Sequence, residues 1–478
     1  MGVVQTLNKI TDHPDIGVAE HEYSRIADNL QFFKGEFPQV AAKNGYGRMF
    51  KRDYVSLNMA QVLCRRLSSM MVNEQMTVSI EDNSAADAYA NEVLTNNDFI
   101  KNFERYLESA MALGGLAMRP YADGDKIKIS FIQAPVFYPL RSNANDISEA
   151  AIATKTVTVE GQKKIYWTLL EFHKWSEDNY IVSNELYRSE VSDSVGVEQS
   201  LTANRVYEDL QPETIMTGLE RPLFVYLKPF GFNNKDITSP LGLSVFDNAR
   251  NTLKFINDTY DQYNWEVKMG QRRVLVPQYM MESVDEQGGV FQFFDPSQNV
   301  FTGVNTNADA DIADLTTDIR SNEFIATLNQ GIKTLEMQTG LSAGTFSFDG
   351  NGLKTATEVI SENSMTYQTR NSHLNNVERS IQELVISILE LAKLNGLYAG
   401  EIPDLYDITV DFDDGVFLDK NSQLDYYAKA SSAKLISKQY AIQKAFDMNE
   451  EDAIEQIKLM NAESMPVMTD IDSNMYPE

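Results

Sequence analysis

Cysteine is all but absent from this chain, with Cys64 the single thiol in 478 residues. One thiol cannot close a disulfide within a chain, so the fold must rest on its apolar core, as suits a reducing compartment. Cys64 stands beside Arg65 and Arg66 in a helical pattern and reads as a small buried residue rather than a reactive one. Histidine is nearly as scarce. The four residues His13, His21, His173 and His373 show no H-E-x-x-H or comparable ligand spacing, and with one thiol a zinc centre is not expected. No apolar stretch approaches the roughly twenty residues that span a bilayer. The best candidate, Leu384–Leu394, is interrupted by Ser387, Glu390 and Lys393. The opening MGVVQTLNKITDHPDIG lacks the basic start and apolar run of a signal peptide. The expectation is a soluble intracellular product with no membrane partner.

Positive charge is also short: 41 Lys and Arg face 69 Asp and Glu, a formal net charge of −28. A protein that grips nucleic acid by neutralising phosphates needs the opposite balance. Acidic walls do allow a phosphate polymer to slide past without sticking. Apolar material is plentiful, at 43% hydrophobic and 10% aromatic residues, which excludes disorder throughout. The length exceeds the usual single core, so two or more substructures are expected.

Residues 1–115 read as mostly helical, with a three-four rhythm at Tyr54, Leu57, Gln61, Cys64 and Leu67 and again at Phe103, Leu107 and Met111, stopped by Gly114-Gly115. From Leu116 the period becomes two. LAMRPY and KIKISFI around an ADGD turn predict a hairpin, and AIATKTVTV, KKIYWTLLEFHKW and NYIVSNELYR predict further strands. The expected result is a meander of about five strands behind a helical layer, an α+β arrangement. Residues 189–220 read as a polar surface excursion, and RPLFVYLKPF as a short buried strand.

Ser239-Pro240 offers a helix start, and Phe246, Ala249, Leu253, Ile256, Tyr260, Tyr263 and Val267 predict one amphipathic helix over 239–268, ended by Met269-Gly270. QRRVLVP and VFQFFDP flank a DEQGG turn in a β insertion over 271–311. A second helix is expected over 312–339, its stripe slipping between Ile319 and Ile325. After it comes a loop, Gly340–Gly352, with four glycines, Phe346 and Phe348. Thr355 and Glu358 form a capping box for a long helix. That helix is nearly all polar over Ser361–His373, then apolar at Leu374, Val377, Ile381, Leu384, Ile388 and Leu391. The second half must pack on protein, and the first is expected to meet water or a neighbouring subunit. Gly396 marks its stop; a strand at DITVDFDDG and helical segments beyond Lys420 follow.

Catalytic patterns fail on context. GLSAG, Gly340–Gly344, fits G-x-S-x-G, but a nucleophile elbow needs a strand before Ser342 and a helix directly after it, whereas a helix precedes and a loop follows. Only His373 lies downstream as a base. In GNGLKT, Leu353 separates Gly352 from Lys354, which breaks a phosphate-binding loop. Asp411, Asp413 and Asp414 read as a solvated acidic surface, with a divalent cation as the other option. Arg272 and Arg273 form a basic pair suited to DNA or to salt bridges between subunits. No catalytic residue, metal site or cofactor is expected. The alternatives carried forward are a serine hydrolase using Ser342 and a coiled-coil scaffold without a channel.

The strings GLKTATEV and SENSMTYQT, within LEMQTGLSAGTFSFDGNGLKTATEVISENSMTYQTRNS, resemble the signature region of tailed-bacteriophage portal proteins, in the branch found in siphophages of Gram-positive hosts. The order of parts matches over nearly the full length. The resemblance implies a portal fold: a wing over 1–238, stem helices over 239–268 and 312–339, a clip over 269–311, a tunnel loop over 340–354, a long helix and returning wing strand over 355–420, and a crown over 421–478. It implies a ring of about twelve copies at one capsid vertex. Double-stranded DNA is then packaged and ejected through the ring, whose partners are the terminase large subunit, major capsid and scaffolding proteins, and head-completion or connector proteins. The location implied is the virion, after assembly in the host cytoplasm. The tunnel loop would present Thr345, Phe346, Ser347, Phe348, Asp349, Gly350, Asn351 and Lys354 to DNA, and the clip would dock the motor and connector through Arg272, Arg273, Asp285, Glu286 and Gln287.

Overall fold

The computed structural model describes residues 5–43, 49–72, 76–143, 146–270, 274–277, 283–285, 290–292, 301–304, 313–314, 318–346, 364–412, 420–446, 448 and 450–463. The chain divides into two compact units, residues 1–353 with 361–412, and residues 354–360 with 413–478. The first unit opens with β1 (Thr6–Leu7), α1 (Glu20–Lys34), a hairpin of β2 (Val40–Lys43) and β3 (Met49–Arg52), α2 (Met59–Met71), β4 (Thr77–Ile80), α3 (Ser84–Asn96) and α4 (Phe99–Leu113). The expected helical layer is present, but its α2 rhythm starts one turn later than the spacing suggests. Tyr54 and Leu57 precede the helix and are tied instead to Asp258 (2.7 Å) and Asn257 (3.2 Å). Cys64 is fully buried in α2, and burial pushes its thiol pKa well up. Gly114 ends α4 at φ 87° where the Gly242 carbonyl passes so close that an added Cβ would sit 2.5 Å away. Only glycine meets both conditions.

Then come β5 (Leu116–Asp123), β6 (Lys126–Gln133), β7 (Phe137–Ser142), β8 (Ile147–Glu160), β9 (Lys163–Ser176), β10 (Asn179–Ser189), β11 (Gly196–Gln199), β12 (Glu213–Thr217) and β13 (Val225–Leu227). The β5–β6 hairpin forms as expected, yet it pairs with β13 and not with the strands after it. Those strands build a separate seven-stranded sheet in the order β1-β11-β10-β9-β8-β7, with β12 also on β10. The surface excursion expected at 189–220 is thus corrected, since β11 and β12 come from it. Leu201 and Tyr207 explain why: they pack with Ile165, Trp167, Leu169 and Leu186 on the sheet. Isolated apolar residues among polar ones carry no period, so this anchoring was invisible in the pattern.

Next are α5 (Arg250–Met269), β14 (Val274–Pro277), β15 (Ser283–Asp285), β16 (Val290–Gln292), β17 (Phe301–Val304), β18 (Ala313–Asp314) and α6 (Ser321–Gln338). Both helices of this pair are shorter than expected. Ser239 does not cap α5; its hydroxyl donates to Glu22 at 2.7 Å, and 239–246 stays irregular. Ala313–Asp314, expected in α6, pairs with β14. Ile319 precedes α6 and lies over Gly270, which accounts for the slipped stripe. Tyr263 stacks on Phe324 at 5.1 Å between the two helices. In the insertion, Val290–Gln292 pairs with Ser283–Asp285, while β14 runs parallel to β17, so the two flanking runs do not form one hairpin.

Last in this unit are α7 (Ser364–Leu394) and β19 (Ile408–Asp411), which pairs with β4. The second unit, taken alone, contains α8 (Lys420–Ser432), α9 (Lys438–Phe446) and α10 (Glu450–Glu463). The second half of α7 is buried apolar core, as expected, with Val377, Ile381, Leu384 and Ile388 at 0% exposure. Its polar first half is a correction. Thr366, Arg370 and His373 are buried in the same phase as the apolar stripe, and only the opposite side, with Met365, Gln368 and Asn371, is open. Arg370 Nε donates to the Met70 carbonyl at 2.6 Å, and Phe230 N–H donates to His373 Nδ1 at 3.0 Å. Backbone groups from distant segments supply the polar partners that make this burial tolerable.

One buried cluster fastens α1 to the entry of α5. Arg25 Nη1 donates to Asp247 at 2.6 Å, while its Nε and Nη2 donate to Glu22 at 3.1 and 3.0 Å. Asn233 also donates to Glu22 at 2.9 Å, and Asn29 and the Ser244 N–H donate to Asp247 at 3.0 and 2.9 Å. Replacing Arg25 with methionine takes the cation from buried Glu22 and leaves Asp247 only the more distant Arg250 at 3.9 Å, an expected loss of about 3–5 kcal/mol. A lowered denaturation midpoint would register it. His373 supplies a second expectation. Burial lowers its pKa to about 4, so between pH 6.5 and 4 the unfolded chain takes up the proton first. Stability should fall as pH drops through that window, by about 3 kcal/mol at most. Denaturation midpoints across pH for wild type and His373→Gln should differ by this slope.

Candidate functional site

The segment that leaves α6 and enters α7 is held by hydrogen bonds that glycine and small hydroxyl residues make possible. Leu341 N–H donates to the Glu336 carbonyl at 2.8 Å, closing α6 in the manner of a C-terminal cap. Gly340 follows at φ 73°, with the Thr369 hydroxyl 2.4 Å from where a Cβ would stand and donating to the Gly340 carbonyl at 2.6 Å. Ser342 and Thr366 clasp each other: Ser342 N–H donates to Thr366 Oγ1 at 2.8 Å, and Thr366 N–H donates to Ser342 Oγ at 3.2 Å. The carboxylate of Glu336, fully buried, accepts the N–H of Gly344 at 3.0 Å and of Phe346 at 2.6 Å. The Thr345 hydroxyl donates to the Ser342 carbonyl at 2.6 Å. Residues 340–346 are thereby tied to both helices at once.

Of the residues expected to face DNA, Thr345 and Phe346 stand on this base, both partly exposed. Ser347, Phe348, Asp349, Gly350, Asn351 and Lys354 lie outside the described residues, as do the capping pair Thr355 and Glu358. Arg272, Arg273, Glu286 and Gln287 also lie outside them, and Asp285 is placed by its backbone pairing with Val290. Spacing did not single out Glu336, Thr366, Thr369 or Arg370. A signal existed in Glu336, which occupies a stripe position four residues after Ile332, where the pattern calls for an apolar side chain.

The arrangement does not support acyl transfer. Ser342 Oγ is occupied by a backbone N–H, and His373 lies seven residues beyond Thr366 on α7, about 10 Å along the axis. Its Nδ1 already accepts from Phe230. The other histidines serve as hydrogen-bonded struts: His13 with Glu185 at 3.2 Å, His21 with Asp236 at 3.0 Å, and His173 with Glu171 at 2.7 Å. Among the described residues, His21, Glu22 and Asp236 bring three potential ligand atoms within 4.8 Å. Glu22 is already saturated by Arg25, Asn233 and Ser239, however. Asp411 is exposed on β19, and Asp413 and Asp414 lie outside the described residues.

A cavity of about 270 Å³ opens between the start of β8, β13 and the Arg379, Glu383, Ser387 stripe of α7, with Asp146, Arg221 and Lys228 on its walls. Burial raises the Glu383 pKa, and Arg379 Nε bonds it at 3.0 Å. The cavity holds mixed charges but neither histidine nor cysteine. Among the described residues no helix is long and apolar enough to cross a membrane.

No curated protein matches the chain. Among the solved structures that resemble it are two at 10% identity: the neck of an empty GTA particle computed with C6 symmetry (TM-score 0.42, 87% of this chain and 92% of that one), and the neck of a native GTA particle computed with C12 symmetry (TM-score 0.39, 86% and 97%). So loose a likeness leaves the assignment to the family comparison. The profile for phage portal proteins, SPP1 Gp6-like, matches residues 12–467. With nearly the whole chain matched, this protein belongs to the SPP1 Gp6-like family of phage portal proteins.

Proposed function

We propose that copies of this chain close into a ring of about twelve at one capsid vertex, and that double-stranded DNA is packaged and ejected through the hole. The family assignment supports the role. The observation that carries the detail is the double anchoring of residues 340–346, which gives the tunnel loop a rigid base between two long helices. In this reading 1–238 is the wing, α5 and α6 are the stem, 269–311 is the clip, 340–354 is the tunnel loop, 355–420 is the long helix with its returning strand, and 421–478 is the crown. The exposed side of early α7, with Gln368 and Asn371, meets solvent or a neighbouring copy.

Chemistry agrees with transport. A chain of net charge −28 offers DNA little to hold. Thr345, Phe346, Ser347, Phe348, Asp349, Gly350 and Asn351 would form an almost uncharged constriction, with Lys354 as a weak positive ring. Arg272, Arg273, Asp285, Glu286 and Gln287 would dock the terminase large subunit and later the head-completion proteins. The role is structural and not catalytic: terminase supplies the energy, major capsid and scaffolding proteins surround the ring, and no cofactor is needed. The particle forms in the host cytoplasm and remains in the virion.

Electron micrographs of the purified chain should show annular particles with a central hole; rods or sheets would count against the ring. Phe346→Gly and Phe348→Gly should assemble normally and reduce DNA packaging or retention, and capsids filled to wild-type level would remove these aromatics from the channel. Deleting 271–311 should leave a soluble body that no longer binds the motor, measured by pull-down with terminase.

A further inference from the structure

We infer that Glu336 is the positioning residue of the tunnel loop: its carboxylate sets where residues 344–346 leave the two helices. Glu336 is fully buried, and among the described residues no cation pairs with it. A buried carboxylate without a cation is unfavourable in a core position. Its stripe neighbours are Leu328, Ile332 and Leu335, so an apolar residue would serve packing better. What the carboxylate alone supplies is a pair of charge-assisted acceptors, one for each of two backbone N–H groups.

Those two groups belong to Gly344 and Phe346, the residues flanking Thr345. Fixing both peptide planes orients the Thr345–Phe346 step, and the Thr345 hydroxyl adds a third bond to Ser342. The other clasps, Thr369 to Gly340 and Ser342 to Thr366, hold the chain two to four residues earlier. They leave the Gly344 and Phe346 N–H groups to Glu336. This inference rests on the portal reading for its consequence, because a loop aimed at passing DNA needs a defined height and direction. The clasp itself can be tested without that reading.

The experiment compares full-length wild type, Glu336→Gln and Glu336→Leu. Glutamine keeps one acceptor and turns a donor toward the second N–H; leucine keeps none. Hydrogen exchange of the isolated protein should accelerate in residues 340–346 by about tenfold or more, in the order Leu above Gln above wild type. Exchange in β8–β10 should stay unchanged. Unchanged exchange at 340–346 overturns the clasp whatever the protein does. The second readout is the yield of DNA-filled particles, with ring formation followed by electron microscopy. Intact rings with fewer filled particles, graded in the same order, support the positioning role. Faster exchange with normal filling overturns it. Should the leucine variant fail to assemble, the glutamine variant decides by the same two readouts. Failure of wild type to form rings counts against the portal reading and leaves the exchange result standing.

Discussion

Arg25 sits between two buried carboxylates, and much of the first unit is arranged around that fact. Glu22 comes from the same turn of α1, whereas Asp247 lies more than two hundred residues away at the entry of α5. A guanidinium offers five donors in a rigid fork, and here it also reaches the Gly242 carbonyl at 3.1 Å. Gly242 is the residue that packs against the glycine ending α4. The cation thus fixes the path by which the chain leaves β13 and turns into α5. Taking such charges out of water is costly, and hydrogen bonds to the carboxylates offset part of that cost. The side chains of Asn29, Asn233 and Ser239 donate to the same two carboxylates.

The long helix α7 solves a related problem differently. Its apolar half needs only a continuous stripe. Its polar half keeps the same phase but fills it with Thr366, Arg370 and His373, each facing a backbone group or small hydroxyl of another segment. That substitution lets the end of α2, the loop after β13 and residues 340–346 abut one helix. A purely apolar stripe there would leave those carbonyls and N–H groups without partners. The loop base inherits its rigidity from this face, and Glu336 completes the anchoring from the α6 side.

Periodic features were legible. The hairpin at 116–133, the long strands of the large sheet, the stops at Gly114 and Met269-Gly270, the burial of Cys64 and the apolar half of α7 all follow from local spacing and turn chemistry. The signature strings pointed to the family that the whole-chain match assigns. Element starts were misread where a distant partner competed for a capping side chain, as Glu22 does for Ser239. Strand partners were misread where pairing was non-local, as when β13 takes the β5–β6 hairpin away from the meander. At the candidate site the glycine-rich setting drew attention to Phe346, while Thr366 and Thr369 passed unmarked because their partners come from another segment, and Glu336 showed only as a polar residue in an apolar stripe.

By itself the amino-acid order determined the strongly periodic helices and strands, their glycine stops and the strings that point to a family, since these depend on neighbours a few positions apart. Only the tertiary structure decided that a polar helix face is sealed inside, that a serine matching a hydrolase pattern serves as a clasp, and that a buried acid grips a loop. Each of those depends on which backbone groups arrive from elsewhere once the core has closed, and burial and hydrogen-bond satisfaction are properties of that meeting.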